Sequence, residues 1–276
     1  MTCLTIIGNS HMGALRAAHA RIAASFDAPE IRYFGLPGSH FSAAAVDQQG
    51  KFSIREGDTK ARDLAQKING CTSINLSGPD PLLIVGPRFR LSAVLRLCQT
   101  CDVAEWPRAA RTALVSQSLF TAAIGAYVRE SVAKLFAQFG ARANVTVAAA
   151  AFPSVNVITK GAHHERPFAL IARHPQADQI FEIFQTAITT ALGDRGYAYL
   201  PQPAQTLAHP FLTRAAYTRG VQDFRNETQS ADDERHMNAD YGFSLFESYA
   251  RRCLHMAPNE PGQTPQRKAK SDNVGS

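Results

Sequence analysis

Residues 3–15 read Cys3-Leu4-Thr5-Ile6-Ile7-Gly8-Asn9-Ser10-His11-Met12-Gly13-Ala14-Leu15, an apolar run that halts at a glycine and turns into a helical pattern. Residues 3–7 are almost wholly apolar rather than alternating, which marks a strand covered on both faces. Past the Gly8-Asn9-Ser10 stop, Met12, Ala14, Leu15, Ala18 and Ile22 recur at helical spacing, so a helix follows the strand at once.

The same grammar repeats along the chain. A second strand, Ile31 to Phe34, stops at Gly35-Leu36-Pro37-Gly38, and a third, Pro81 to Gly86, is again cut off by glycine and proline. Asn144 to Ala151 gives a fourth strand closed by Phe152-Pro153, and Tyr197 to Leu200 a weak fifth. Between them, Lys51 to Arg55 reads as a short hairpin strand, and helical patterns cover Lys60 to Ile68, Phe89 to Cys101 and Leu114 to Phe139, with Trp106-Pro107 read as a helix start. Ile180, Ile183, Phe184, Ala187, Ile188, Ala191 and Leu192 line one face of a further helix that Gly193 ends. A last helix runs from about Asn238 to Cys253, where Phe243, Phe246 and Tyr249 read as core packing. Apolar strands alternating with helices predict an α/β fold with a parallel sheet covered by helices on both faces. The expected organisation is one domain over residues 1–256, followed by a polar, disordered tail over 257–276.

Composition sets the outer limits. With 45% hydrophobic and 19% charged residues among 276, the chain can bury a core and is not disordered throughout. No apolar run approaches the roughly 20 residues that a bilayer requires. The N-terminal run is too short for a signal peptide and lacks a basic stretch ahead of it, so the expected location is the cytoplasm. The net charge of +6 comes from 29 basic and 23 acidic residues, and 22 of the basic ones are arginine. They are scattered, without the basic stripe of a nucleic-acid module, so the expected partner is a small anionic molecule or a glycan.

Five cysteines, Cys3, Cys71, Cys98, Cys101 and Cys253, make no disulfide framework. Cys98-Gln99-Thr100-Cys101 has no second pair or histidine cluster to complete a zinc site. His163-His164-Glu165-Arg166 lies in a loop; adjacent histidines share one ion poorly, so a pocket-lining role fits them better than a metal site. No metal or organic cofactor is expected.

Two segments carry chemistry. Ser10 stands at the carboxyl end of the first strand and the N-terminus of the following helix, where unpaired N–H groups favour an anion. Taken alone, that position suits a helix-capping serine better. Near the other end, Asp233-Glu234-Arg235-His236 places an aspartate three residues before a histidine, ahead of the last helix. The carboxylate can turn onto one imidazole nitrogen and leave the other to accept a serine proton.

Together these segments resemble the SGNH, or GDSL-type, serine esterase and lipase family, of which this chain looks like a divergent, bacterial-looking member. Gly8-Asn9-Ser10 is similar to the family's Gly-Asp-Ser block with Asn for Asp, and Asp233 with His236 matches its Asp-x-x-His block. The resemblance implies a three-layer, flavodoxin-like fold, the SGNH hydrolase fold. It also implies an oxyanion-hole glycine after strand two, for which Gly38 is the match and Gly35 the alternative. The family's Gly-x-Asn after strand three is replaced here by Gly86-Pro87-Arg88, which removes one oxyanion donor. Such a loss typically costs roughly a hundred- to a thousand-fold in rate. Arg88 is the substitute donor, with Asn156 a remote one.

The implied roles are Ser10 as nucleophile, His236 as base and then acid, and Asp233 as the group that orients His236. The Ser10 N–H, Gly38 and Arg88 then form the oxyanion hole, and Arg88, Arg90 and Arg166 bind an acidic acyl or sugar group. The function that follows is hydrolysis of a carbohydrate ester or other small ester. An acyltransferase on the same triad, and a catalytically silent glycan- or partner-binding domain, are the alternatives.

Overall fold

The computed structural model describes residues 3–55, 57–108, 111–160, 166–219, 221–222, 229–230 and 234–259. Five parallel strands form the central sheet: β1 Cys3–Gly8, β2 Glu30–Gly35, β3 Leu82–Val85, β4 Val145–Ala148 and β5 Ala198–Leu200. Their order is β2-β1-β3-β4-β5, every neighbouring pair being parallel. This is the flavodoxin-like order, whose direction reverses between β1 and β3 and opens a crevice at their carboxyl ends.

Side-chain alternation divides the core in two. Leu4 and Ile6 of β1 and Leu83 and Val85 of β3 pack into one buried cluster, while Ile7, Leu82 and Ile84 pack into the other. Helices α1 Gly13–Ala17, α2 His19–Ser25 and the C-terminal α7 Ala239–Tyr249 cover the first face. The second is covered by α3 Thr59–Asn69, α4 Leu91–Thr100, α5 Gln117–Phe139 and α6 Ala177–Gly193. The layers are helix, sheet, helix, as the apolar strands predict.

Local chemistry sets the element ends. Asp58 caps α3 by accepting the Ala61 N–H at 2.9 Å, and Gly70 closes it at a positive φ of 71°. Helix α5 buries Phe120, Ile124, Val128, Val132, Leu135 and Phe139, spaced by three or four residues, which is one stripe of a 3.6-residue helix. Among the described residues, no helix is long and apolar enough to cross a membrane.

The structure departs from the expectations in four places. Trp106 starts no helix: it sits in a turn, donates Nε1–H to Gln117 Oε1 at 3.2 Å and packs edge-on against Phe120. The first helical pattern is two helices broken at Ala18. The expected hairpin strand at Lys51 to Arg55 forms over 51–53, but it gains the unexpected antiparallel partners 45–46 and 73–75, and 101–103 pairs in parallel with 113–115. Residues 257–259 remain in the described chain, with the Asn259 N–H donating to Ser25 O at 2.7 Å; residues 260–276 of the expected tail lie outside the described residues.

Candidate active site

The Gly8-Asn9-Ser10 stop falls at the carboxyl end of β1, and Gly86-Pro87-Arg88 at that of β3, so both flank the crevice where the strand order reverses. Asn9 ties the two ends together. Its Nδ2 donates to Gly86 O at 2.8 Å while its Oδ1 accepts the His11 N–H at 3.0 Å. Gly86 holds a φ of +106°, and a Cβ there would overlap the Asn9 side chain. Only glycine lets the two chains approach this closely.

Ser10 opens a single 3-10 turn, Ser10–Met12, that leads into α1. The neighbouring amides are engaged: Asn9 N–H on Val85 O, His11 N–H on Asn9 Oδ1 and Met12 N–H on Asn9 O. The Ser10 N–H has no acceptor among the described residues.

His236 arrives from the other end of the chain, and its Nε2 lies 2.8 Å from Ser10 Oγ. Its loop is gripped on both sides. Upstream, Glu234 O accepts the Ser154 N–H at 2.8 Å and Glu234 Oε1 accepts Asn156 Nδ2 at 3.4 Å. Downstream, Asn238 caps α7 by accepting the Tyr241 N–H, and its Nδ2 donates to Ala216 O and Arg219 O. The helices that follow Ser10 and His236 also touch. A Cβ on Gly242 of α7 would collide with the Ala14 carbonyl of α1, so glycine sets the distance between them.

Asp233 lies outside the described residues, as do His163, His164 and Glu165. The Gly35 N–H is committed to Asn69 Oδ1 at 2.8 Å, while Asn69 Nδ2 donates to Gly35 O, so Gly35 cannot serve as an oxyanion donor. Gly38 is exposed at the start of the short helix 38–43. Asn156 spends its amide on Glu234.

A cavity of about 350 Å³ opens beside the Ser10–His236 pair. It is lined by their chain neighbours His11 and Arg235, together with Arg88 and the apolar Leu95, Phe152 and Phe168. The His11 and His236 rings lie 5.4 Å apart. Arg88 Nη2 stands 3.4 Å from His11 Nε2. A guanidinium can only donate, so that nitrogen is the unprotonated one. Burial, and then the like charge of Arg235, push the Arg88 guanidinium below its ordinary range. Phe89 and Arg90 both hold left-handed backbone, at φ 45° and 53°, in the turn that presents Arg88. Such residues cost of order 1–3 kcal/mol each and collect at functional sites.

The remaining sequence candidates separate. Arg90 lines the cavity, but its Nη1 contacts both oxygens of Glu130 at 2.6 Å. Arg166 is exposed at the start of a helix whose Pro167 and Phe168 reach the cavity wall. Cys98 is buried, which pushes its thiol up to about 12, away from reactive thiolate chemistry. Among the described residues no cluster of three or more His, Cys, Asp or Glu could hold a metal ion. His11 and Arg235 are the site residues that sequence reasoning missed. Both adjoin predicted residues, and only the folded turn shows which way they face.

No family model matches the chain, and neither does any curated protein. Among solved structures, an extracellular lipase from Streptomyces rimosus aligns over 92% of this chain and all of its own, with a TM-score of 0.42 and 14% identity. That likeness is too distant to carry a functional assignment.

Proposed function

We propose that the protein is a serine ester hydrolase acting on a carbohydrate ester or other small ester. The observation that carries this reading is the 2.8 Å contact between Ser10 Oγ and His236 Nε2 at the β1/β3 crevice. A histidine at that distance can take the hydroxyl proton as the oxygen attacks an ester carbonyl. His236 then returns the proton to the departing alcohol, and water repeats the sequence to release the acid and free Ser10. Asp233 orients His236 and balances its positive charge. The Ser10 N–H, with Gly38 and Arg88, receives the negative charge on the carbonyl oxygen.

The direct test is labelling of the purified protein with a fluorophosphonate, beside Ser10→Ala and His236→Ala. Covalent labelling lost in both variants is expected. A folded wild-type protein that takes no label would mean a silent binding domain rather than an esterase.

A further inference from the structure

The unexplained feature of the site is its cavity lining, which holds Arg88, Arg90, Arg96 and Arg235 and, among the described residues, no carboxylate. Elsewhere Arg21 pairs with Asp240, Arg32 with Glu30 and Arg251 with Glu247. Half-exposed Arg90 has Glu130. Arg88 lines the cavity, yet its side-chain contact among the described residues is the neutral, accepting Nε2 of His11 at 3.4 Å, with no acid in ion-pairing range. Arg235 lines the same cavity and adds a second positive charge rather than cancelling the first. A cleft lined by one sign of charge concentrates the opposite sign, and like charges held around it repel one another until a counter-charge enters. The arrangement becomes favourable when an anion arrives, because a guanidinium offers a planar fork that matches carboxylate and phosphate oxygens.

We infer that this cavity holds an anionic group of the substrate, a carboxylate or phosphate carried by the same small molecule as the ester bond, with Arg88 as its principal donor and Arg235 as the second cation. The inference rests on the ester-hydrolase reading and narrows its substrate class. Leu95, Phe152 and Phe168 supply apolar wall for the rest of the molecule, and about 350 Å³ suits a small one. The anion has two sources: the acyl half, as in a dicarboxylic half-ester, or the alcohol half, as in an acylated phosphate-bearing alcohol.

Calorimetric binding to the Ser10→Ala protein separates recognition from turnover. For the acyl half, 4-nitrophenyl hemisuccinate is compared with neutral 4-nitrophenyl pentanoate. For the alcohol half, acetyl glycerol phosphate is compared with glycerol monoacetate. One anionic member should bind at least about tenfold tighter than its neutral match, and adding Arg88→Gln should bring that ratio to about one. The arm that shows the preference names the source. Should Arg88→Gln lose its folded circular dichroism, Arg235→Gln in the same background must lower the ratio instead. Equal or undetectable binding within both pairs, or a preference untouched by these changes, overturns the inference whether or not Ser10 reacts. An anion preference in a protein that fluorophosphonate never labels would sustain Arg88 as an anion receptor and overturn the ester reading.

Discussion

Ser10 Oγ and His236 Nε2 meet at 2.8 Å although 226 residues separate them along the chain. The contact is held by tertiary structure. Asn9 and Gly86 fix the turn that carries Ser10, while Glu234 and Asn238 anchor the loop that carries His236. Because Nε2 faces the serine, Nδ1 is the nitrogen an orienting carboxylate must reach.

His236→Ala should lower kcat by about 10⁴-fold or more with the fold intact, the loss expected when a serine's base is removed. Steady-state kinetics on an ester substrate, with circular dichroism as the folding control, checks this. Unchanged turnover would remove His236 from the mechanism.

Asp233→Asn should lower kcat by roughly 10³- to 10⁴-fold, since the imidazole loses the group that holds its tautomer. Glu234→Gln should act mainly on stability, because Glu234 is 8% exposed and its Oε1 accepts from Asn156 Nδ2 in the loop's support. A kinetic loss larger for Glu234→Gln than for Asp233→Asn would reverse the two roles.

Asn9→Asp should destabilise the protein by about 1–3 kcal/mol, because a carboxylate cannot donate to the Gly86 carbonyl. Urea unfolding reads the change. An equally stable variant would show that the Asn9–Gly86 bond is dispensable.

Gly242→Ala should be both destabilised and slowed, since its methyl group pushes α7 away from Ala14 and so moves the supports of Ser10 and His236 apart. The expected stability loss is about 1–3 kcal/mol. Full activity at normal stability would mean that the two helices can separate without disturbing the site.

His174 should make stability fall in mild acid. Burial, followed by the charge of Arg111, lowers its pKa, and its Nδ1 accepts the Gln176 N–H, which only the unprotonated nitrogen can do. The folded pKa lies below the unfolded value of about 6.5, so the unfolded chain takes the proton first. Stability is therefore unaffected above that value, declines as pH drops below it, and levels once the native ring is protonated. Comparison of urea midpoints between pH 7.5 and 5 in wild type and His174→Gln isolates this contribution; identical slopes would refute it.

The long apolar strands and their glycine stops were legible because burial on both faces leaves a period-free apolar run that few other structures produce. Strands 101–103 and 113–115 were not, since three residues are too short for a pattern and Leu114 of the second is 53% exposed. Ser10 and His236 stood out by their places in two separate blocks. His11 and Arg235 did not, because a residue next to a reactive one lines the cavity only if the turn directs it there. Likewise the glycine pattern after β2 admits Gly35 beside Gly38 as a donor, and only the fold brings Asn69 Oδ1 onto the Gly35 N–H.

The separation of Ser10 from His236 also has a temporal side. During synthesis the hydroxyl leaves the ribosome more than two hundred residues before its base. On the proposed mechanism, a nascent chain carries Ser10 as an ordinary alcohol until helix 239–249 docks on helix 13–17. Fluorophosphonate labelling of Ser10 would then report the completion of folding, and a chain cut before His236 should remain unlabelled.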